Sequence, residues 1–275
     1  MAVKSSVLPG RILLAFVAAY ILLPVAATLL YSLATVWRSE MLPEGYTLSH
    51  WAKSFIDQRF VSVLLRTLGL AVVVSFVTLA LLLPAVWWQR VRNPKIGIAL
   101  QMLAAVPFAL PTLIIGLGLL TLTGDYLPQA QGTVWLLGLG HVALAFPFAY
   151  WALDNAMAAA NVRALSEAAS TCGASPFATL IRVILPNVGP GIAMAGIMAF
   201  GTSFNELVLT QLLVGSRYET VQLYALNMLK GADADYNLLA VMTVINFTIT
   251  LVLSIAMVSL NGRTANASLP KKAKS

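Results

Sequence analysis

Two parts of this sequence carry polar chemistry within an otherwise apolar chain. The first is Glu206 in the run AFGTSFNELVLTQ, where Ser203 and Asn205 add polar groups beside the carboxylate. The second is EAASTCGASPFATLIRVILP, Glu167 to Pro186, which places charges, a glycine and two prolines between apolar runs. An acid inside a membrane is costly and is by default a functional candidate. A polar segment with an apolar stripe predicts a contact surface.

Familiar catalytic patterns are missing from the sequence. Without a GxxxxGK[ST] loop, the chain is not expected to hydrolyse ATP itself. HExxH and Ser–His–Asp arrangements are also absent, and the two histidines, His50 and His141, fall near the predicted outer face. Cys172 is the single cysteine, which excludes a disulfide framework and a multi-cysteine metal site, and we expect a packed thiol. We therefore predict a chain that is not an enzyme and binds no metal or cofactor.

The elements that position these residues are apolar helices. Of 275 residues, 59% are hydrophobic and 10% are charged, whereas soluble domains carry about a quarter charged residues. Apolar runs of roughly 18 residues or more recur, each long enough to cross the hydrocarbon core. The sequence thus predicts an all-α polytopic membrane protein, built as one transmembrane domain over residues 1–275. Its six spans lie near 12–37, 61–89, 96–123, 133–153, 190–214 and 237–260.

The basic residues predict the orientation of these spans. Six spans place both termini on one face, and eleven of the 17 Lys and Arg lie on that face. The positive-inside rule then makes both termini and the loop 154–189 cytoplasmic. The net charge is +7, and the basic residues that give it flank the spans and form no extended patch. We therefore expect contact with membrane lipid and none with nucleic acid. The eleven are Lys4, Arg11, Arg90, Arg92, Lys95, Arg163, Arg182, Arg263, Lys271, Lys272 and Lys274.

Within the spans, one acid and two prolines are candidates for the pathway. At ~1.5 Å per residue from Pro190, Glu206 lies roughly 24 Å into span five. Three roles stay open: attracting a cationic substrate, closing an outer gate by pairing with a partner chain, or reaching the outer interface at a helix end. Pro107 and Pro111 kink span three, which indicates either close helix packing or a water-filled pathway that satisfies the freed backbone.

The loop 154–189 predicts two short helices. The first begins at Asn161, a helix-capping residue, and stops at Gly173. Ser175 caps the second, Pro176 fits its first position, and Pro186 is expected to end it, because the residue before a proline avoids the α region.

One face of the second loop helix is apolar. Phe177, Leu180, Ile181 and Ile184 fall at positions i, i+3, i+4 and i+7. So short a loop cannot bury this stripe in a core of its own. The stripe must therefore meet the membrane surface, the ends of the chain's own spans, or another protein. Interfacial helices are usually richer in basic residues than this one, which has Arg182 alone, so we expect a groove on another protein.

The spacing in this loop resembles a known family. It matches the signature EAA-x3-G-x9-I-x-LP of permease subunits of binding-protein-dependent ABC importers, with valine where isoleucine is usual. The matching residues are Glu167, Ala168, Ala169, Gly173, Val183, Leu185 and Pro186.

The resemblance implies a type I ABC importer permease fold of six transmembrane helices, in a bacterial inner membrane. The loop would be a coupling helix docked in a groove of an ATP-binding subunit. The implied partners are two ABC ATPase subunits, which carry ATP and Mg, a homologous permease or a second copy of this chain, and an extracytoplasmic binding protein. The residues implied in ATPase coupling are Glu167, Ala168, Ala169, Gly173, Phe177, Leu180, Ile181, Leu185 and Pro186. Candidates for the translocation pathway or a gate are Glu206, Asn205, Ser203, Pro107 and Pro111.

Further segments resemble the polyamine-type (spermidine/putrescine) branch of that family. They include PFALPTLIIGLGL, HVALAFPF and SFNELVLTQLLVGSRYETVQLYALNML. That branch often has a more acidic pair where this chain has Asn205 before Glu206. Relatives of the branch import ferric iron, thiamine or aminoethylphosphonate, and these stay open as alternatives. An ion-coupled secondary transporter is the rival class, but it would need more intramembrane ionisable residues than Glu206.

Overall fold

The computed structural model describes residues 7–37, 41–231 and 234–267 of the chain. Within these residues the regular structure is helical, apart from an isolated bridge between Ala34 and Tyr46. Helices dominate because in lipid every backbone N–H and C=O must find its partner within the segment. In chain order they are α1 (Val7–Leu33), α2 (Ser49–Ile56), α3 (Gln58–Val91), α4 (Ile96–Ala109), α5 (Thr112–Tyr126), α6 (Val134–Ala159), α7 (Val162–Thr171), α8 (Pro176–Thr179), α9 (Leu185–Asn187), α10 (Gly189–Phe204), α11 (Val208–Leu213), α12 (Val221–Lys230) and α13 (Tyr236–Ala267).

Four helices in the described part of the chain are each long and apolar enough to cross a membrane. They are Gly10–Leu33 of α1, all of α3 and α6, and Tyr236–Leu260 of α13. Two bent helix pairs bring the number to six if each pair counts as one span. The predicted all-α polytopic class is confirmed.

Span three is broken, where the sequence predicts a kinked helix. α4 and α5 meet at an angle of 107°. Leu110, between them, is extended at φ −115° and ψ 133°, as expected for a residue that precedes a proline. Pro111 is itself non-helical and precedes the first residue of α5, whereas Pro107 lies inside α4. Pro111 therefore ends one helix and starts another.

Span five is also divided. The sequence predicts a continuous helix over 190–214, but α10 ends at Phe204 and α11 begins at Val208. Asn205 has φ −96° and ψ 6°, outside the helical region. The three residues 205–207 thus separate a long helix from a helix of six residues.

The described residues group into two compact units. One contains the chain up to Ser62 together with Tyr224–Ile249, and the other contains Val63–Leu223 and the chain from Thr250 onward. In the first unit, the Asn237 side-chain amide donates to the carbonyls of Tyr31 and Ala34 at 3.0 and 2.9 Å. These bonds fasten the start of α13 to the end of α1.

The second unit holds the main apolar core. α6 supplies many of its fully buried side chains, including Leu137, Tyr150, Leu153 and Met157. α10 packs so closely on α6 that a Cβ at Gly191 would overlap the Ala156 side chain. α4 joins them through Phe108, whose ring stacks on Trp151 with 5.4 Å between centroids. The same unit contains the candidate functional residues.

Candidate functional site

The first loop helix, α7, has one buried and one exposed side. Val162 and Ser166 are buried, whereas Glu167 and Ala168 are exposed and Ala169 is half-buried. The Glu167 carboxylate pairs with Arg163 at 3.0 Å, and both side chains are about two-thirds exposed at 65% and 68%. Such a pair on a helix surface contributes only about 0.3–0.5 kcal/mol. The Glu167 carboxylate can therefore leave it for another partner at little cost.

The start and stop of α7 differ in how well the sequence predicts them. Asn161 takes the capping position, but in the left-handed conformation at φ 48°, and forms no side-chain capping hydrogen bond within the described chain. Gly173 stops the helix as predicted, with φ +79°. Its N–H donates to the Ser170 carbonyl and the Ala174 N–H donates to the Ala169 carbonyl, the pattern of a glycine-ended helix.

The second loop helix, Pro176–Asn187, begins as predicted and continues past Pro186. The Ser175 hydroxyl accepts the Ala178 N–H at 3.3 Å, and Pro176 is the first helical residue. Leu185 keeps helical angles of −53° and −46°, so the expectation that Pro186 ends the helix is wrong. The reason is a π-helical turn over Leu180–Ile184, which makes room for the proline ring by widening the preceding turn.

The apolar stripe of this helix serves two surfaces, where one is predicted. Phe177 and Ile181 are 75% and 44% exposed and can contact a partner. Ile184 is fully buried, and Leu180 is half-buried against the chain's own core. Leu185 is half-buried and Pro186 exposed. Leu180 and Ile184 therefore anchor the loop, and Phe177 and Ile181 form its outward apolar face.

Glu206 lies at the break in span five and caps α11. Its two carboxylate oxygens accept the backbone N–H groups of Leu209 and Thr210 at 2.9 and 3.0 Å. The negative charge also lies at the end of the helix where the backbone dipoles favour an anion. The side chain is 9% exposed. In this conformation the carboxylate is occupied by the chain itself.

His141 on α6 completes a buried polar cluster around Glu206. Its Nδ1 lies 2.9 Å from Ser203 Oγ and its Nε2 lies 3.2 Å from Thr210 Oγ1. The Thr210 hydroxyl lies 3.3 Å from Glu206 Oε2. All three contacts are hydrogen bonds if the Ser203 hydroxyl donates to His141 Nδ1, His141 Nε2–H donates to Thr210, and the Thr210 hydroxyl donates to Glu206. The cluster therefore joins α6, α10 and α11.

The sequence predicts Ser203 and Glu206 as neighbours in this region but misses His141 and Thr210. The available signal is a lone histidine in an apolar run, which does not specify its partner. Asn205, the other predicted neighbour, is exposed, and its amide donates to the Gly201 carbonyl on its own helix. It is thus placed outside the cluster.

The buried cluster is arranged to hold helices rather than to transform a substrate. Ser203, His141 and Thr210 are 3%, 1% and 0% exposed, so a substrate cannot reach the serine hydroxyl in this conformation. In the described part of the chain, no three His, Cys, Asp or Glu side chains are placed to hold a metal ion. Cys172, expected to be packed, is exposed on the loop beside Gly173.

α11 is also held by two glycine contacts. A Cβ at Gly116 of α5 would lie 2.5 Å from Leu212, and one at Gly140 of α6 would lie 2.6 Å from Leu209. α5 and α11 therefore pack directly on each other, and each begins immediately after a break, at Pro111 and at Glu206. Of the predicted pathway residues, Pro111 and Glu206 mark the two breaks.

Two broken spans and an anchored loop with an exposed face are the main features of this membrane helix assembly, and sequence comparison assigns its family. Residues 85–266 match the family described as binding-protein-dependent transport system inner membrane component. The chain belongs to this family of ABC importer permeases, whose members generally work with ATPase and binding-protein partners.

Relatives differ in the solutes for which they are named. PhnV of Salmonella typhimurium, named for 2-aminoethylphosphonate transport, is 27% identical over 85% of this chain and 86% of its own length. PotC of Escherichia coli K12, named for spermidine/putrescine transport, is 30% identical over 78% of each chain. ModB of Azotobacter vinelandii, named for molybdenum transport, is 29% identical over 61% of this chain and 79% of its own.

A solved structure shares the fold. A chain of a bacterial ABC transporter involved in import of the acidic polysaccharide alginate aligns with a TM-score of 0.71, covering 94% of this chain and 98% of its own length. The identity is 15%, so this likeness speaks for the fold alone. The predicted ABC importer permease fold is confirmed.

Proposed function

We propose that this chain lines the translocation pathway of an ATP-driven importer and that its loop 154–189 docks on the ATPase subunits. The observation that carries the proposal is the two-sided loop. Its inner side, with Ile184, is buried in the core, whereas Glu167, Phe177 and Ile181 face outward. An anchored loop with an exposed charge and an exposed apolar face fits a groove on a partner protein.

The proposed assembly contains two ATPase subunits, this chain, and a homologous permease or a second copy of it. An extracytoplasmic binding protein delivers the solute. ATP and Mg bind to the ATPase subunits, so this chain is a non-catalytic subunit without a cofactor of its own. Within the loop, Glu167 supplies charge-assisted contacts, Gly173 allows the bend, and Phe177 and Ile181 enter the groove.

We place the protein in a bacterial inner membrane with both termini and the loop cytoplasmic. The support is the excess of Lys and Arg on that face. Among these residues Arg90, Arg92, Lys95, Arg163 and Arg182 lie in the described part of the chain. Lys4, Lys271, Lys272 and Lys274 lie outside it.

For the solute we propose a polyamine or another small amine-bearing compound. Both PotC and PhnV, which align over most of this chain, are named for solutes that carry a primary amine on a short carbon chain. The molybdenum relative aligns over a smaller part. Ferric iron and thiamine are the alternatives that the resemblance leaves open.

We assign Glu206 to a gate and not to solute binding. The carboxylate accepts hydrogen bonds from two backbone N–H groups, and the side chain is 9% exposed. It therefore fixes α11 in the conformation described. Asn205 lies exposed at the same break, with its amide donating to the Gly201 carbonyl.

Uptake of radiolabelled putrescine, 2-aminoethylphosphonate and molybdate into cells with and without this chain tests the proposal. We expect chain-dependent uptake of an amine-bearing solute that stops on ATP depletion and survives a proton uncoupler. Uptake that stops with the uncoupler while ATP is maintained would instead identify an ion-coupled transporter. Chain-dependent uptake of molybdate alone would overturn the substrate class and leave the importer intact.

A further inference from the structure

A buried hydrogen bond joins α3 to the first loop helix. The Trp87 indole Nε1–H donates to Ser166 Oγ at 3.1 Å, across 79 residues of sequence. Trp87 is 7% and Ser166 6% exposed. An indole N–H can only donate, and a buried one requires an acceptor. Ser166 directly precedes Glu167, so this bond holds the helix that carries the exposed carboxylate.

The end of α3 is in turn clamped to α6. The Arg90 guanidinium contacts both carboxylate oxygens of Asp154, at 2.7 and 2.6 Å. The Gln89 amide donates to the same carboxylate at 3.0 Å and accepts the Tyr150 hydroxyl at 3.2 Å. A two-point guanidinium–carboxylate contact fixes orientation as well as distance. α3 and α6 therefore move together at this end, and a force on α7 through Trp87 reaches both.

The second loop helix has a different attachment. α9 is followed at once by α10, with Val188 as the single residue between them and a bend of 82°. Val188 and Ile184 are buried in the core. Movement of this half of the loop passes directly into span five. The loop is thus continuous with α6 through Ala160 and Asn161 and with α10 through Val188, and the Trp87–Ser166 bond attaches it to α3 as well.

We propose that Trp87 is a positioning residue that fixes α7 on α3 and so gives loop movement a second route into α3 and α6, beside the covalent connections at Ala160–Asn161 and Val188. The proposal rests on the proposed docking of the loop on an ATPase. Without the Trp87–Ser166 bond, the loop still docks and the ATPase still turns over, but α7 can turn about Ala160 and Asn161, so α3 and α6 follow each cycle less completely. The quantity that changes is the number of solute molecules imported per ATP hydrolysed.

The test uses the full complex with its binding protein in proteoliposomes. Trp87→Phe removes the indole N–H and keeps an aromatic ring, and Trp88→Phe is the matched control, since Trp88 is 48% exposed. We expect Trp87→Phe to lower solute per ATP about fivefold with ATPase docking unchanged, and Trp88→Phe to match wild type. Fivefold corresponds to about 1 kcal/mol at about 1.4 kcal/mol per tenfold, the usual net worth of one hydrogen bond.

Ser166→Ala removes the acceptor without altering the ring, and it replaces Trp87→Phe if that variant fails to assemble. The double variant should lose no more coupling than either single variant, because both break one bond. Wild-type coupling in Ser166→Ala and Trp87→Phe would overturn the second route.

Glu167→Ala separates the two proposals. If it abolishes ATPase docking while the Trp87 and Ser166 variants stay coupled, the proposed function stands and this inference fails. If Glu167→Ala also leaves ATPase docking unchanged, both the proposed function and this inference fail.

Discussion

Replacing Glu206 by glutamine tests whether the intramembrane acid is a structural cap or a solute ligand. The carboxylate accepts the Leu209 and Thr210 N–H groups with one oxygen each. Glutamine keeps one acceptor but turns an NH2 group, a donor, toward the other backbone N–H. One charge-assisted hydrogen bond is lost and a buried N–H is left unpaired.

The size of the effect follows from these contacts. A hydrogen bond to a charged group contributes about 1.5–3 kcal/mol, and loss of the charge at the start of α11 adds about 0.3–1 kcal/mol. Glu206→Gln should therefore lower the free energy of unfolding by about 2–4 kcal/mol. At about 2–4 °C per kcal/mol for a chain of this size, the melting midpoint falls by several degrees.

The same substitution at Glu167 is the matched control. Its carboxylate is 65% exposed and pairs with Arg163 on the same helix, so Glu167→Gln should cost about 0.3–0.5 kcal/mol. The assay is thermal unfolding of the purified permease complex, followed by tryptophan fluorescence. A Glu206→Gln variant that melts like wild type but binds or imports amine solutes poorly would refute the cap and restore Glu206 as a solute ligand.

Three further predictions concern packing, orientation and the loop. Gly140→Ala should lower the free energy of unfolding by about 1–3 kcal/mol, because its Cβ would lie 2.6 Å from Leu209. Gly138→Ala should leave the stability almost unchanged, because its Cβ would meet no described atom within 4 Å. Thermal melting measures both variants. Cys172 should react with a membrane-impermeant maleimide in inverted vesicles and stay unlabelled in intact cells, when the permease is expressed without its ATPase. Ile184→Ala should lower the free energy of unfolding by about 2–5 kcal/mol, whereas Ile181→Ala should weaken ATPase binding with less than about 0.5 kcal/mol of stability lost.

Each of these has a contradicting result. Equal melting of the two glycine variants would mean that α11 is not held against α6 as described. Labelling of Cys172 from outside intact cells would reverse the orientation. A larger loss of stability from Ile181→Ala than from Ile184→Ala would invert the two sides of the loop helix.

Local rules predict the loop well where a single residue decides the geometry. Gly173 takes a positive φ that other residues rarely adopt, and Ser175 with Pro176 starts a helix, so both positions are readable from sequence. Pro186 is misjudged because its effect depends on the turn before it. A π-helical turn accommodates the proline ring, and no local pattern in LIRVI predicts that turn.

Long-range contacts explain the remaining differences. A hydrophobic run over 190–214 predicts one span, but the break at Glu206 is stabilised by His141 from α6, more than 60 residues away. In the same way, the stripe Phe177, Leu180, Ile181 and Ile184 is visible in sequence, whereas its division into an anchored and an exposed part depends on the core that meets it. Periodicity predicts which residues form an apolar face, but not which part of the protein packs against that face.

The most direct test of the account is co-purification of this chain with its ATPase and pair permease, comparing wild type with Glu167→Ala and Gly173→Asp. Both substitutions fall on exposed loop positions. At Gly173 a Cβ would meet no described atom within 4 Å, but the backbone φ of +79° strains any other residue, so Gly173→Asp distorts the loop locally while the chain should still insert into the membrane. We expect both variants to lose ATPase docking, or the stimulation of ATPase activity by the binding protein. Variants that assemble and hydrolyse ATP like wild type would contradict the claim that this loop couples the permease to its motor.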